Sequence, residues 1–293
     1  MLNRLKLNTG PYLPGAGVGQ RPSHQRRPSV DFRDHRLYAP GDDVRFVDWK
    51  ASARQEHVYI KQGEQQKEAR IYLVLDLSAS MRWGEPPKAN AALTLAAALG
   101  YLALSGGDRL VVEPVFDRSL VGGGPTAGPR PLGPVSGKGQ VTGLLNYLRA
   151  LPFQGQVDAS LALGALRKRG LSGGGLVLVL SDLLGANNLA SSLQLLPQPR
   201  WKVVFLHLLH PAELDPSLQG DLELQDIESG QKKRYTITPK ALVTYRQRLE
   251  AWRASLQETC AGHRALYTLI PSGWSLENET LPHLRSLNIV QPL

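Results

Sequence analysis

The sequence predicts an α/β protein with a Rossmann-like, mostly parallel central sheet that carries helices on both faces. One observation is the apolar run Leu176–Leu180, which is typical of a strand buried on both faces of a sheet. Another is residues 70–76, a run of β-formers that leads into an Ala- and Leu-rich segment at 87–105. That segment begins after two prolines and ends at two glycines, which indicates a helix. Strands that alternate with helices favour a parallel sheet.

The other predicted elements continue this alternation. Strand 110–116 is expected to turn into a short partner strand at 119–121, followed by a long loop over 122–139. Residues 239–260 carry apolar side chains at three- and four-residue spacing, which predicts an amphipathic helix. Two strand-like runs that flank Glu228-Ser229-Gly230 predict a β-hairpin. The remaining expected elements are helices at 139–150, 158–169, 186–196 and 276–287, and strands at 203–209 and 265–270.

The first 69 residues differ in composition from the rest of the chain. Residues 1 to about 30 are rich in Gly, Pro and Arg and lack periodicity, so we expect an extended arm. Residues 31–69 mix charged residues with turn signals. The expected division is therefore 1–69 and 70–293, with the hairpin near 221–237 inserted into the second part.

Composition indicates a globular protein, which we expect in the cytoplasm. The start of the chain lacks the apolar stretch of a signal peptide, and the apolar run 89–104 is shorter than the ~20 residues of a membrane-spanning helix. The single cysteine, Cys260, excludes an internal disulfide framework. The net charge of +9 is divided between residues 1–70, with +5, and the remainder, with +4, so it is spread over the chain.

One short motif follows the clearest strand. Asp76 ends the strand, and Ser78 and Ser80 follow at two-residue intervals. Ligand sites of open α/β sheets lie beyond the carboxyl ends of strands, and a carboxylate with two hydroxyls suits a hard cation such as Mg²⁺. The alternative is a turn whose side chains cap the next helix.

A longer segment, together with this motif, resembles a known family. It reads Arg-Leu-Tyr-Ala-Pro-Gly-Asp-Asp-Val-Arg-Phe-Val-Asp-Trp-Lys-Ala-Ser-Ala-Arg over residues 36–54. The pairing resembles the DUF58 family of bacterial and archaeal proteins, in which such a segment precedes a von Willebrand factor A-like domain. The resemblance implies a metal-ion-dependent adhesion site, association with AAA+ ATPases of the MoxR type, and no established enzymatic reaction.

The resemblance also implies which residues hold the metal, Mg²⁺ or Mn²⁺. Asp76, Ser78 and Ser80 match the first loop of A-domain sites, and Asp182, directly after the second apolar strand, matches the third. In the second loop Val157 stands where relatives carry a threonine, and valine cannot ligate a cation. Asp158 or Ser160, or a water molecule, is expected to substitute, or the site binds metal weakly or not at all.

The long segment has two interpretations. Its charged residues can form an ion-pair network that braces the arm against the A-like domain. Alternatively Arg45, Asp48, Trp49 and Arg54 form a face for partner docking, since Trp and Arg are enriched at binding hot spots.

The leading functional hypothesis is a non-enzymatic adaptor whose metal completes its shell with a carboxylate from a protein partner. By resemblance that partner is a MoxR-like AAA+ ATPase or its client, in protein or metal-cofactor assembly. Two alternatives stay open. The positive charge suits a nucleic-acid-associated protein, although no recognised nucleic-acid-binding motif accompanies it. The second alternative is a metal-dependent hydrolase, which would need a positioned base and an activated water.

Overall fold

The computed structural model divides into two units, Met1–Pro14 with Glu68–Leu293 and Gly15–Lys67. The residues it describes are 2–9, 34–40, 42–44, 47–54, 57–62, 69–116, 128–158, 163–164, 166, 174–186, 188–196 and 199–293.

Within the larger unit, the described residues form a central sheet of six strands. The strands of this sheet are β4 (Arg70–Asp76), β5 (Arg109–Val115), β6 (Leu132–Val135), β7 (Gly175–Ser181), β8 (Trp201–Leu209) and β11 (Leu266–Pro271). Their spatial order is β11-β8-β7-β4-β5-β6, and every neighbouring pair is parallel except β5 with β6. The strand order reverses between β4 and β7, so the carboxyl ends of these two strands form the switch point where such sheets bind ligands. The predicted Rossmann-like fold is confirmed.

Helices and small sheets complete the described part of the chain. The helices are α1 (Trp49–Ser52), α2 (Lys88–Ser105), α3 (Val141–Arg149), α4 (Leu189–Gln194), α5 (Pro211–Leu214), α6 (Pro239–Gly262) and α7 (Leu281–Ser286), and a π-helical turn, Leu276–Thr280, runs into α7. Three two-stranded antiparallel sheets pair β1 (Leu5–Leu7) with β12 (Val290–Pro292), β2 (Asp34–Leu37) with β3 (Tyr59–Gln62), and β9 (Gly220–Gln225) with β10 (Lys232–Ile237). Among these residues, no helix is both long and apolar enough to cross a bilayer.

Two hydrophobic cores lie on opposite faces of the sheet, because side chains alternate along each strand. On β4, Leu73 packs into the core that contains apolar residues of α2, α3 and α7. The next residue, Val74, packs into the core that contains residues of α4 and α6. Helices therefore cover both faces, and β7 is buried along its whole length, as the sequence predicts.

Three differences from the sequence analysis have local causes. Leu5–Leu7, in the expected extended arm, form β1, because Leu5 and Leu7 are buried against the core. The predicted loop over 122–139 contains β6, an edge strand that tolerates a proline because one side of it needs no hydrogen bonds. The helix expected from 186 begins at Leu189. The predicted strand at 119–121 lies outside the described residues, as does most of the predicted helix 158–169.

Candidate metal centre

Two buried side chains define the centre of the candidate site. Asp76 is the last residue of β4 and Ser181 the last residue of β7, and these strands are parallel neighbours. The Asp76 carboxylate accepts two hydrogen bonds. The Ser181 hydroxyl donates to Oδ2 at 2.5 Å, and the Ser78 amide donates to Oδ1 at 2.9 Å. Burial, and secondarily the charge of Asp182, raises the pKa of Asp76 to about 6. Its carboxylate is therefore held in place but poorly neutralised by the surrounding protein.

The two serines of the motif face the same point. The Ser78 and Ser80 hydroxyl oxygens are 2.9 Å apart, and both side chains are buried. Ser78 occupies the N-cap position of a 3₁₀ turn, Ala79–Arg82, but its side chain makes no capping hydrogen bond. The capping alternative therefore does not describe Ser78.

Asp182 is engaged by an ammonium group. The fully buried Lys88, the first residue of α2, places Nζ 2.8 Å from Asp182 Oδ2 and 2.8 Å from Glu213 Oε1 on α5. Burial alone would lower the pKa of Lys88, but these two carboxylates outweigh it and raise that pKa. Asp182 Oδ1 accepts a hydrogen bond from the Leu184 amide at 3.3 Å. The N-cap position of α4 is Asn188, whose side chain makes no capping hydrogen bond, so Asp182 does not cap that helix.

A second loop closes the site from the side. Its backbone is tied to the first loop through the Gly155 carbonyl, which accepts the Ala79 amide at 2.8 Å. Val157 is buried here, and Asp158 is partly buried. Gly185, in the loop after β7, allows that loop to lie close to the second loop, because a Cβ at residue 185 would be only 2.3 Å from the Val157 carbonyl oxygen. Ser160 lies outside the described residues.

A fourth segment reaches the site from the β9–β10 hairpin. Burial raises the pKa of Glu228, in the turn between these strands, with the charge of Asp182 acting in the same direction and Ser80 and Gln156 acting to lower it.

The donor set fits a hard divalent cation that keeps several waters. Adjacent ligands of an octahedral Mg²⁺ ion, each at about 2.1 Å, are about 3 Å apart. The Ser78–Ser80 separation of 2.9 Å matches that spacing, and the Asp76 carboxylate lies beside the pair. The described residues contain no cluster of three His, Cys, Asp or Glu side chains able to hold a metal, so a cation at this site would depend on the serine hydroxyls as well as on Asp76. Asp182, with one oxygen on Lys88, suits a supporting position.

The residues considered for docking lie in the smaller unit. Asp48 caps α1, accepting the amides of Lys50 and Ala51 at 3.1 Å each. Trp49 is 67% exposed and Arg54 is also exposed, whereas Arg45 lies outside the described residues. An exposed tryptophan is compatible with docking, which remains a prediction.

Sequence reasoning missed the residues that complete the site. Ser181 adjoins Asp182 and could have been found as the end of the buried strand. Lys88 had a weak signal, as a lone charge at the start of an apolar helix. Glu213 and Glu228 had none, because they come from elements far along the chain that only the fold brings to this edge.

The strand order and the loops around Asp76 define a von Willebrand A-like α/β domain. The model of the family DUF58, described as 'Protein of unknown function DUF58', matches residues 34–255. The chain therefore belongs to this family. The uncharacterized proteins Mb1516 of Mycobacterium bovis and Rv1480 of Mycobacterium tuberculosis are each 29% identical over 266 residues, covering 89% of this chain and 80% of theirs.

Solved structures with a similar fold include bacterial proteins. BatB from Bacteroides thetaiotaomicron has a TM-score of 0.41 at 12% identity, covering 75% of this chain and 97% of that one. A von Willebrand factor type A protein from Catenulispora acidiphila has a TM-score of 0.42 at 13% identity, covering 79% of this chain and 43% of that one.

Proposed function

We propose that this protein is a non-enzymatic adaptor that binds a partner through a metal-ion-dependent adhesion site. Asp76, Ser78 and Ser80 hold Mg²⁺ or Mn²⁺, and Asp182 supports the site. The bound cation supplies the positive charge that attracts an acidic side chain of the partner. An A-like fold suits a protein-interaction role.

The observation that carries this proposal is the pair of serine hydroxyls 2.9 Å apart beside the buried Asp76 carboxylate. In the described structure the side chains that bond these hydroxyls are hydroxyls and carboxylates rather than an imidazole or an amine. A serine nucleophile needs an adjacent base oriented by a third group. The arrangement therefore supports binding more than nucleophilic catalysis.

The proposed partner is a MoxR-type AAA+ ATPase or its client, in protein or metal-cofactor assembly. Membership of DUF58 supports this choice through the association that the family resemblance implies. The proposal also places the protein in the cytoplasm, since an ATP-dependent partner works where ATP is present.

The test is a binding measurement between the purified protein and a purified MoxR-type ATPase from the same organism. Asp76→Ala is compared with Glu258→Ala, which removes an exposed carboxylate from α6. The ATPase itself needs Mg²⁺ with its nucleotide, so the variant decides the question better than a chelator does.

We expect wild type and Glu258→Ala to bind equally and Asp76→Ala to bind at least about tenfold more weakly, as expected when a ligand-shell residue is removed. Equal binding by all three proteins would show that recognition does not use this site. Circular dichroism of Asp76→Ala checks that the variant is folded.

A further inference from the structure

The two aspartates of the candidate site are hydrogen-bonded to different kinds of donor. Asp76 accepts hydrogen bonds from neutral groups, the Ser181 hydroxyl and the Ser78 amide. Asp182 Oδ2 instead accepts the ammonium of Lys88 at 2.8 Å. A neutral donor leaves the negative charge of a carboxylate available to a cation, whereas an ammonium offsets it. The two carboxylates therefore differ in what they offer a metal ion.

The ammonium of Lys88 is held in place from two sides. Lys88 is completely buried, and its second contact is Glu213 Oε1, also 2.8 Å from Nζ. Glu213 is anchored in turn, because its Oε2 accepts the His210 amide at 2.7 Å and its carbonyl oxygen accepts the Tyr245 hydroxyl of α6 at 2.7 Å. Lys88 therefore cannot leave Asp182 without also breaking its contact with α5.

A divalent cation and the Lys88 ammonium compete for the same carboxylate. Two positive charges beside Asp182 repel each other, so a cation gains little from ligation by Asp182 while Lys88 is bound there. The other oxygen, Oδ1, accepts the Leu184 amide of its own loop at 3.3 Å. The affinity of a site for divalent cations depends on the number of charged ligands it supplies. With Lys88 present, Asp182 adds little to that number.

We infer that Lys88 is a positioning residue that keeps Asp182 from ligating the cation and thereby lowers the affinity of the site for divalent metal. The inference rests on the proposed function, because it concerns the same cation site. Asp76, Ser78 and Ser80 remain as the protein ligands. A small set of protein ligands leaves coordination positions to water, which a partner's carboxylate can replace. Lys88 thus favours a cation that is bound firmly only together with that carboxylate.

The experiment uses Mn²⁺ alone as the probe, with free Mn²⁺ measured by electron paramagnetic resonance during titration of the full chain. Lys88→Met removes the ammonium and releases Asp182. The double variant Lys88→Met/Asp182→Asn removes one positive and one negative group together, so the summed charge of the pair stays the same. Lys240→Met, at an exposed position of α6, is the matched control. Circular dichroism checks that each variant is folded.

We expect Lys88→Met to bind Mn²⁺ at least about tenfold more tightly than wild type, because it frees a carboxylate for the ligand set. The double variant should bind Mn²⁺ like wild type, since Asp182 is not a ligand in either protein. Lys240→Met should also bind like wild type. If Lys88→Met fails to fold, the double variant decides, because it leaves no unpaired charge at residues 88 and 182.

Two results would overturn the inference and leave the proposed function standing. One is equal Mn²⁺ affinity in wild type and a folded Lys88→Met. The other is a loss of about tenfold in the double variant, which is the effect expected when a true ligand is removed. Mn²⁺ binding by Lys88→Met but not by wild type would support the inference and overturn the proposed function. Absence of Mn²⁺ binding by every variant and by wild type would overturn both.

Discussion

The ammonium of Lys88 lies 2.8 Å from the carboxylate of Asp182, and both side chains are almost completely withdrawn from solvent. This contact joins the start of α2 to the loop after β7, and Glu213 extends it to α5. Burying charges is unfavourable unless each has a partner, so the three groups depend on one another. The site is therefore braced by a fixed protein cation beside the position proposed for a metal.

Replacing Lys88 with methionine is expected to destabilise the protein by about 3–5 kcal/mol, because it leaves buried carboxylates uncompensated. Urea unfolding monitored by circular dichroism measures the change. Lys240→Met, at an exposed position of α6, should stay within about 0.5 kcal/mol of wild type. Adding Asp182→Asn to Lys88→Met should recover part of the loss, and no recovery would contradict the pairing.

Replacing Gly185 with alanine is expected to push the second and third loops apart. The added Cβ would lie 2.3 Å from the Val157 carbonyl oxygen, so the backbone must shift, at a cost of about 1–3 kcal/mol. Gly143→Ala is the control, since its Cβ would meet nothing within 4 Å on α3 and should stabilise the helix by about 0.5–1 kcal/mol. If both variants changed the free energy of unfolding equally, the close approach would not matter.

The single cysteine should be unreactive in the folded protein. Cys260 is buried, and burial raises the pKa of its thiol to about 12. Iodoacetamide at pH 8 should therefore label the native chain at least about a hundredfold more slowly than the urea-unfolded chain. Because the folded pKa exceeds the unfolded value of 9.0, this thiol favours the folded state below pH 9, and that contribution declines as the pH rises toward 12. Fast labelling of the native protein would contradict the buried position.

Replacing Val157 with threonine is expected to strengthen Mn²⁺ binding about tenfold, because it offers an oxygen at the loop position where the family resemblance implies a threonine. Val157→Ala alters the same buried position without supplying an oxygen and should give no gain. Titration of both variants with Mn²⁺ makes the comparison. Equal affinity in the two variants would mean that residue 157 does not face the cation.

The sequence alone predicts features whose residues are close together along the chain, but not contacts between residues that are far apart along it. Strand β7 is apolar along its whole length, and the Asp76, Ser78 and Ser80 spacing lies within five residues, so both were predictable. The partners of Lys88, Asp182 and Glu213, are 94 and 125 residues away along the chain, and no sequence pattern near Lys88 predicts these contacts. Glu228 likewise looks like an ordinary turn residue until the hairpin is placed on the domain.

The most direct test of the central claim is a titration of the metal-free protein with Mn²⁺, comparing wild type with Asp76→Ala. The account predicts one ion bound per wild-type chain and binding at least about tenfold weaker in Asp76→Ala, with Glu258→Ala unchanged. Equal binding by wild type and Asp76→Ala, or none by wild type, would contradict a cation site formed by Asp76, Ser78 and Ser80.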